Sequence, residues 1–484
     1  MVASNKARRG GIRRFVRALS MAGLLTIGGM TAAGCEPPDW TDTQFLSEQV
    51  EKGDRLKALE EIPRLSKEDQ AKVVPALINA YNNGQDKEKC FEILAALRDK
   101  RAMSVYVDAL KNAKSNRDKA KAAVALGDLK ATEHIPAMVE MFRNVPNQDL
   151  RRAILEAFVA MPDGAQVPLL VDILKNFDPD REPIAYHAYA CDVLGDIGQA
   201  TDTVSQAVVY GLYLDNAKNQ NVLKECSVAV AAVGPKATDA LVQVMKGENQ
   251  DIKRRFAKYA TYVEGSAEVT AVDTISLING KTAVPAILEE MTKKKDPPAT
   301  YRDQKLLSWG QKRTEFFVAG CGSVGDLGDP AALETLKNYV VYDAKVFEPY
   351  KDLIDYDKRT ALFMIEAVYK AINAIGDRKG LEHLAKGATK GDLPMLKAYG
   401  DDGVVQTRWG AARAYAMLAT GAELEAYDKM AKGEKNATMK KKWAEFRPAI
   451  EVAKECGQDA ACYGKHLLGK DAIKAEKAAW ELGR

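Results

Sequence analysis

The stretch Lys119 to Phe142 reads KAKAAVALGDLKATEHIPAMVEMF, and its pattern returns along most of the chain. An alanine-rich helix is expected to end at Leu126-Gly127-Asp128, because Gly127 can take the left-handed conformation that closes a helix. Pro136 then suits the first turn of a second, amphipathic helix, where its missing amide hydrogen costs nothing. Two helices of this kind cannot bury their apolar sides alone. Neighbouring copies must therefore stack and share one continuous core, which predicts an elongated all-α body rather than a compact globule.

Two signals repeat independently. The proline-opened helix recurs as Val74-Pro75-Ala76-Leu77, Ile135-Pro136-Ala137-Met138, Val167-Pro168-Leu169-Leu170, Val284-Pro285-Ala286-Ile287 and Asp329-Pro330-Ala331-Ala332. Successive prolines lie 61, 32, 117 and 45 residues apart, which is two, one, three and one steps of a unit of about 30 to 45 residues. The helix-ending turn recurs as Leu126-Gly127-Asp128, Leu194-Gly195-Asp196, Val233-Gly234, Val324-Gly325-Asp326 and Ile375-Gly376-Asp377. Asp251 to Gly280 shows no clear copy of either signal.

With these motifs in place, residues 66–484 resemble the HEAT-repeat (armadillo-like) family and its AxALGxxGDxxAxPxL-like pattern. The resemblance implies an all-α fold, a right-handed α-solenoid of stacked helical hairpins. It also implies that the second helices line a concave surface used to bind other macromolecules. About nine or ten units are expected between residues 45 and 484. A tetratricopeptide array is the rival fold, but its constant 34-residue period and Trp/Tyr pattern are missing.

The amino terminus reads as an address. Lys6, Arg8, Arg9, Arg13, Arg14 and Arg17 precede the uncharged run Ala18 to Ala33, which ends at Gly34-Cys35. A basic start, a short apolar run and small residues before the cut describe an export signal, expected to be removed as residues 1–34. Ala32-Ala33-Gly34-Cys35 resembles the bacterial lipobox, which implies lipidation of the Cys35 thiol and acylation of the new amine. Several acyl chains, palmitate among the expected ones, anchor a protein stably. Residues 35–44 then form a short tether. Glu36, where inner-membrane retention would place Asp, leans by the same resemblance toward the outer membrane, with the body facing the periplasm.

Charge argues against nucleic acid. The chain has Lys+Arg 70 against Asp+Glu 67, a net +3, but the six basic residues of the leader leave 64 against 67, or −3. A body of that balance has no general attraction for a polyanion. The runs Lys293-Lys294-Lys295 and Lys440-Lys441-Lys442 read as solvated helix ends.

Three segments exceed what the repeat needs, at about 292–313, 342–359 and 392–408, and such loops commonly carry recognition. The second gathers Tyr342, Phe347, Tyr350 and Tyr356 among charges, which suits a protein or glycan contact or, equally, rings that cap the solenoid's own groove. Trp309-Gly310 and Trp409-Gly410 repeat one dipeptide, as structural plugs or as further contact residues.

No residue set names a reaction. Cys90, Cys191, Cys226 and Cys321 lie on apolar helices and read as small buried hydrophobes. Cys456 and Cys462 flank Gly457-Gln458-Asp459, a turn that could bring two sulfurs together in an oxidising compartment. Glu133-His134 and Glu382-His383 sit on separate units, and His187 and His466 lack carboxylate neighbours at ligand spacing in the sequence, so neither a metal nor another cofactor is expected. Phosphate loops and nucleophile elbows are absent from the sequence, and no small-molecule substrate is suggested. The expected function is a membrane-anchored, non-catalytic scaffold that binds one or more envelope proteins. The alternative is a HEAT-like enzyme or enzyme accessory of the lyase type that uses the groove as a pocket.

Overall fold

The computed structural model describes residues 38–256 and 262–483. Expectations for the export signal and for Cys35 fall outside these residues. The described residues form helices throughout, with a single antiparallel bridge between Asp215 and Asn221 and no strand.

The helices alternate between two rows. The alanine-rich row includes Asn116–Asp128, Gln148–Ala160, Ala185–Ile197, Leu223–Val233, Ser266–Leu277, Asp303–Leu327, Arg359–Ile375, Gly400–Leu418 and Ala437–Cys456. The proline-opened row includes Met103–Asn112, Ile135–Asn144, Val167–Asn176, Asp202–Gly211, Thr238–Met245 and Val284–Thr292. Sequence neighbours within a row pack side by side, as with Asn116–Asp128 on Gln148–Ala160 and Asp303–Leu327 on Arg359–Ile375. The result is the expected α-solenoid of stacked helical hairpins.

Local chemistry explains the corners. Ser115 and Asn147 cap the helices that follow them, each side chain accepting from a backbone amide two or three residues on. Pro136, Pro168 and Pro285 stand at the start of their helices, as their missing donor requires. Pro75 differs: Ser66 caps the helix earlier, so Pro75 lies inside Lys67–Asn82 instead of in its first turn. Between the rows, Leu126, Ile135, Met138 and Phe142 are fully buried; each contributes roughly 1.5–3 kcal/mol by leaving water.

The glycine of the Leu-Gly-Asp turn has a different role from the expected one. Gly127 lies within its helix without a positive φ, and the left-handed residue is Lys130, at φ 54°. A Cβ on Gly127 would sit 2.6 Å from the Ala157 Cα, and one on Gly325 would sit 3.1 Å from the Ala371 Cα. These glycines let consecutive helices of the alanine-rich row touch backbone to backbone, while the chain reverses three residues later, at Lys130 or at Gly328 (φ 66°). Gly234 and Gly376 do close their helices with positive φ.

Within Asp251 to Gly280, which lacks a legible copy, the helix Ser266–Leu277 nevertheless continues the stack. Ser266–Leu277 packs on Thr238–Met245 and on Asp303–Leu327. Its reversal uses Asn279 at φ 54°, a residue that tolerates the left-handed region but carries no glycine signal.

Two of the cysteines expected to be simple packing residues are bonded. Cys191 and Cys226, on consecutive helices of the alanine-rich row, form a buried disulfide with Cα atoms 4.9 Å apart. Gly211 makes room for it, since a Cβ there would lie 2.6 Å from the Cys226 sulfur. The 35-residue separation hid the pair; only stacking brings equivalent positions of successive repeats into register. Cys90 and Cys321 are buried and free.

Candidate functional site

The aromatic insertion faces inward. Phe347 and Tyr350 are each 1% exposed, so they offer no surface to a partner. The Tyr350 hydroxyl donates to the Met291 carbonyl at 2.6 Å, and its ring meets Phe317 edge-on with centroids 5.4 Å apart. Phe347 packs between Tyr339 and the half-buried Tyr342. The physical reason lies in the proline-opened row: the helix following Pro330 has only four residues, Leu333–Leu336. The insertion folds in and supplies the apolar bulk that a full helix supplies elsewhere. Of the four rings only Tyr356, 72% exposed, remains on the surface.

Trp309 and Trp409 are both half-buried in the alanine-rich row, in separate places. Trp309 borders a small polar cleft with Lys312, Arg313 and Glu268, whose burial pushes its carboxyl above the usual range. Trp409 lies 5.5 Å from the Lys442 ammonium, a cation–π contact.

A groove of about 900 Å³ runs between Asp303–Leu327 and Arg359–Ile375, closed at one end by Leu353 and Tyr356. The 292–313 segment creates it by extending the first of these helices to 25 residues. Ala319, Gly322, Ala367 and Ala371 are small enough to leave the floor open, and Val318 and Phe363 rise along it. Phe363 is 50% exposed because it stands in the polar stripe that Arg359, Glu366, Lys370 and Asn373 form along an otherwise apolar helix. An aromatic ring in the polar stripe of an amphipathic helix faces solvent unless something covers it, and Phe363 among Arg359, Glu366 and Lys370 was the available sequence signal. This groove thus opens on the alanine-rich row.

The rim is acidic, with Glu315, Asp326, Asp357 and Glu366 against Lys370 alone. Each carboxylate already has a partner. Lys312 donates to Glu315 at 2.5 Å, Ser276 to Asp326 at 3.0 Å, Arg359 to Asp357 at 2.8 Å and Gln406 to Glu366 at 3.1 Å. Hydrogen bonding from Arg359 holds the Asp357 carboxyl below its ordinary range. Among the described residues no histidine or cysteine lines the groove. Beyond Glu366 and Lys370 a second hollow of about 480 Å³ continues past Trp409 and Phe446, where Arg413 pairs with Glu476 and Lys442 with Glu445.

The remaining titratable candidates are scattered. Burial raises the Cys90 thiol to about 11 and pushes that of Cys321 up as well. Neither thiol is a ready nucleophile or ligand. His187 is buried with its Nε2 3.1 Å from the Phe177 carbonyl, and desolvation lowers its pKa. His466 does have a carboxylate neighbour, against expectation: its Nε2 lies 3.3 Å from Glu455 Oε2, because a turn folds the next helix back on the end of Ala437–Cys456. The same turn joins Cys456 and Cys462 in a disulfide with Cα atoms 5.4 Å apart.

No family model and no curated protein matches the chain. Among solved structures it is similar to a chain from "Kap95p Binding Induces the Switch Loops of RanGDP to adopt the GTP-bound Conformation: Implications for Nuclear Import Complex Assembly Dynamics". The identity is 13%, with a TM-score of 0.30 over 91% of this chain and 65% of that one. The chain therefore spans just under two thirds of the length of the solved chain it matches.

Proposed function

We propose that this chain is a non-catalytic scaffold that holds a helical segment of another bacterial envelope protein in the groove between Asp303–Leu327 and Arg359–Ile375. The observation that carries this reading is an open apolar channel with exposed Phe363, Tyr356 and Val318, floored by glycine and alanine. A channel between two side-by-side helices accepts a third helix, whose anchors at i, i+3 or i+4, and i+7 enter the apolar floor. Lys312 and Arg359 neutralise Glu315 and Asp357, and the remaining Asp326 and Glu366 against Lys370 favour a helix with basic flanks. Catalysis is disfavoured by the same lining, because every rim acid is hydrogen-bonded to a neighbour and no base–nucleophile pair converges there.

Cys35 supplies the anchor in this reading. A lipid on its thiol confines the solenoid to a membrane surface, which raises the effective concentration of whatever the groove holds. The outer membrane, with the groove in the periplasm, suits the Cys35-Glu36 junction.

A photo-crosslinking residue placed at Tyr356, on the edge of the same groove, in native membranes tests the scaffold. One predominant adduct is expected, and Phe363→Asp should weaken capture about 30-fold or more, the loss of one hot-spot side chain. Diffuse labelling with no predominant species, or full capture by the Phe363→Asp chain, would overturn the groove assignment. Fractionation tests the anchor separately: Cys35→Ser should release the protein from membranes, and its persistence there refutes lipidation.

A further inference from the structure

The short-range cysteine pair, Cys456 and Cys462, has a neighbour that the scaffold reading does not use. Ala437–Cys456 ends at Cys456, Gly457 turns the chain at φ 58°, and Asp459 starts the helix Ala460–Leu467. The Asp459 carboxylate accepts from the Ala461 and Cys462 amides at 2.8 and 3.2 Å, and the Tyr463 hydroxyl donates to the Gly457 carbonyl at 3.1 Å. None of these bonds involves a sulfur, so the turn keeps its shape when the disulfide opens. His466 follows Cys462 by one helical turn and lies on the same face. Both sulfurs and one imidazole nitrogen lie within 4.8 Å of one another.

We propose that reduction of the Cys456–Cys462 disulfide turns Cys456, Cys462 and His466 into a three-ligand site for a divalent cation of the zinc class. In a tetrahedral zinc site, metal–sulfur bonds of about 2.3 Å and metal–nitrogen bonds of about 2.0–2.1 Å set ligand atoms roughly 3.5–3.8 Å apart. The sulfurs reach that separation by side-chain rotation, since their Cα atoms are already 5.4 Å apart. Glu455, 3.3 Å from His466 Nε2, is placed to accept that N–H and orient the ring, which leaves Nδ1 as the nitrogen for the metal, as carboxylates commonly do for metal-binding histidines. The fourth position is open to water.

The chemistry balances as two steps. A dithiol reductant gives two electrons and two protons to the Cys456–Cys462 bond, leaving two thiols, and is itself oxidised to a disulfide. The cation then displaces both thiol protons into solvent and takes the lone pair of neutral His466. Oxidation and metal binding exclude each other, because the same two sulfurs serve both. Among the described residues the other cysteines form no such set: Cys191 and Cys226 are buried together without a histidine in the cluster, and Cys90 and Cys321 are buried singly.

The test uses the full chain, oxidised and after anaerobic reduction, with thiols counted by mass and Co²⁺ as the probe. The reduced protein should bind one Co²⁺ with thiolate-to-cobalt charge-transfer absorption that Zn²⁺ abolishes and Mg²⁺ does not. The oxidised protein should bind none. Cys462→Ser should remove the absorption, and His466→Ala should weaken binding tenfold or more while both thiols stay reducible. Circular dichroism monitors folding, and should the cysteine variant unfold, the His466→Ala comparison decides. A reduced chain with both thiols free that takes up no Co²⁺, or an unchanged affinity in His466→Ala, overturns the proposal.

Discussion

Gly127→Ala separates two roles that a helix-ending glycine could have. The position has no positive φ, so alanine meets no backbone strain there. Its Cβ, however, would lie 2.6 Å from the Ala157 Cα and 2.7 Å from the Ala157 Cβ, against 3.4 Å at the near edge of ordinary contact. Asn116–Asp128 and Gln148–Ala160 must then part by 3.4 − 2.6 = 0.8 Å or more at their closest point. Overpacking of that kind costs about 1–3 kcal/mol, offset by about 1 kcal/mol of helix propensity. The net is a loss of about 0–2 kcal/mol. Gly322 supplies the control. It lies in a helix with nothing within 4 Å of its Cβ position, so Gly322→Ala should stabilise by about 1 kcal/mol. Stacked repeats need not unfold all at once, so amide hydrogen exchange on Asn116–Asp128 and Gln148–Ala160 is the decisive assay, with denaturant melts beside it. Protection should fall in both helices for Gly127→Ala. A Gly127→Ala chain stabilised as much as Gly322→Ala would refute backbone contact as the reason for this glycine.

Tyr350→Phe should destabilise by about 0.5–1.5 kcal/mol through loss of the hydrogen bond to the Met291 carbonyl, whereas Tyr356→Ala should stay within about 0.5 kcal/mol in thermal melts. Equal effects would return the whole insertion to the surface. Joint replacement of Cys191 and Cys226 by alanine opens a 35-residue cross-link and should lower stability by about 2–4 kcal/mol in denaturant titrations under non-reducing conditions. Acidification should act through His187, whose pKa burial lowers in the folded chain. Below about pH 6.5 the unfolded chain takes up a proton that the folded one refuses until lower pH, so stability is lost as pH falls through that window. His187→Gln should flatten the slope between pH 7 and the folded pKa, and an unchanged slope would exclude this histidine as the cause.

Periodic sequence information was sufficient for the architecture. Prolines with no amide hydrogen specify where helices start, a property of single positions, and the recurring Leu-Gly-Asp marks the period even though Gly127 serves helix contact and not the turn. Thus the paired helices and their stacking were legible from Lys119 to Phe142 alone. The Cys456–Cys462 turn was legible for the same reason, since six residues and a glycine bring the sulfurs within reach. What the residues could not disclose was which side of a helix its neighbours would cover. Tyr350 and Tyr356 stand six residues apart in one charged segment, yet one is enclosed by Phe317 and the Met291 carbonyl and the other is bare. Four-residue Leu333–Leu336 decides between them by leaving space that the insertion fills. Phe363 shows the converse, an apolar side chain left exposed in the polar stripe of its helix. Cys191 with Cys226, and His466 with Glu455, likewise meet only through the packing of separate helices. Local conformational preference wrote the repeats into the chain, whereas burial depends on the sum of all neighbours, and that sum exists only in the folded stack.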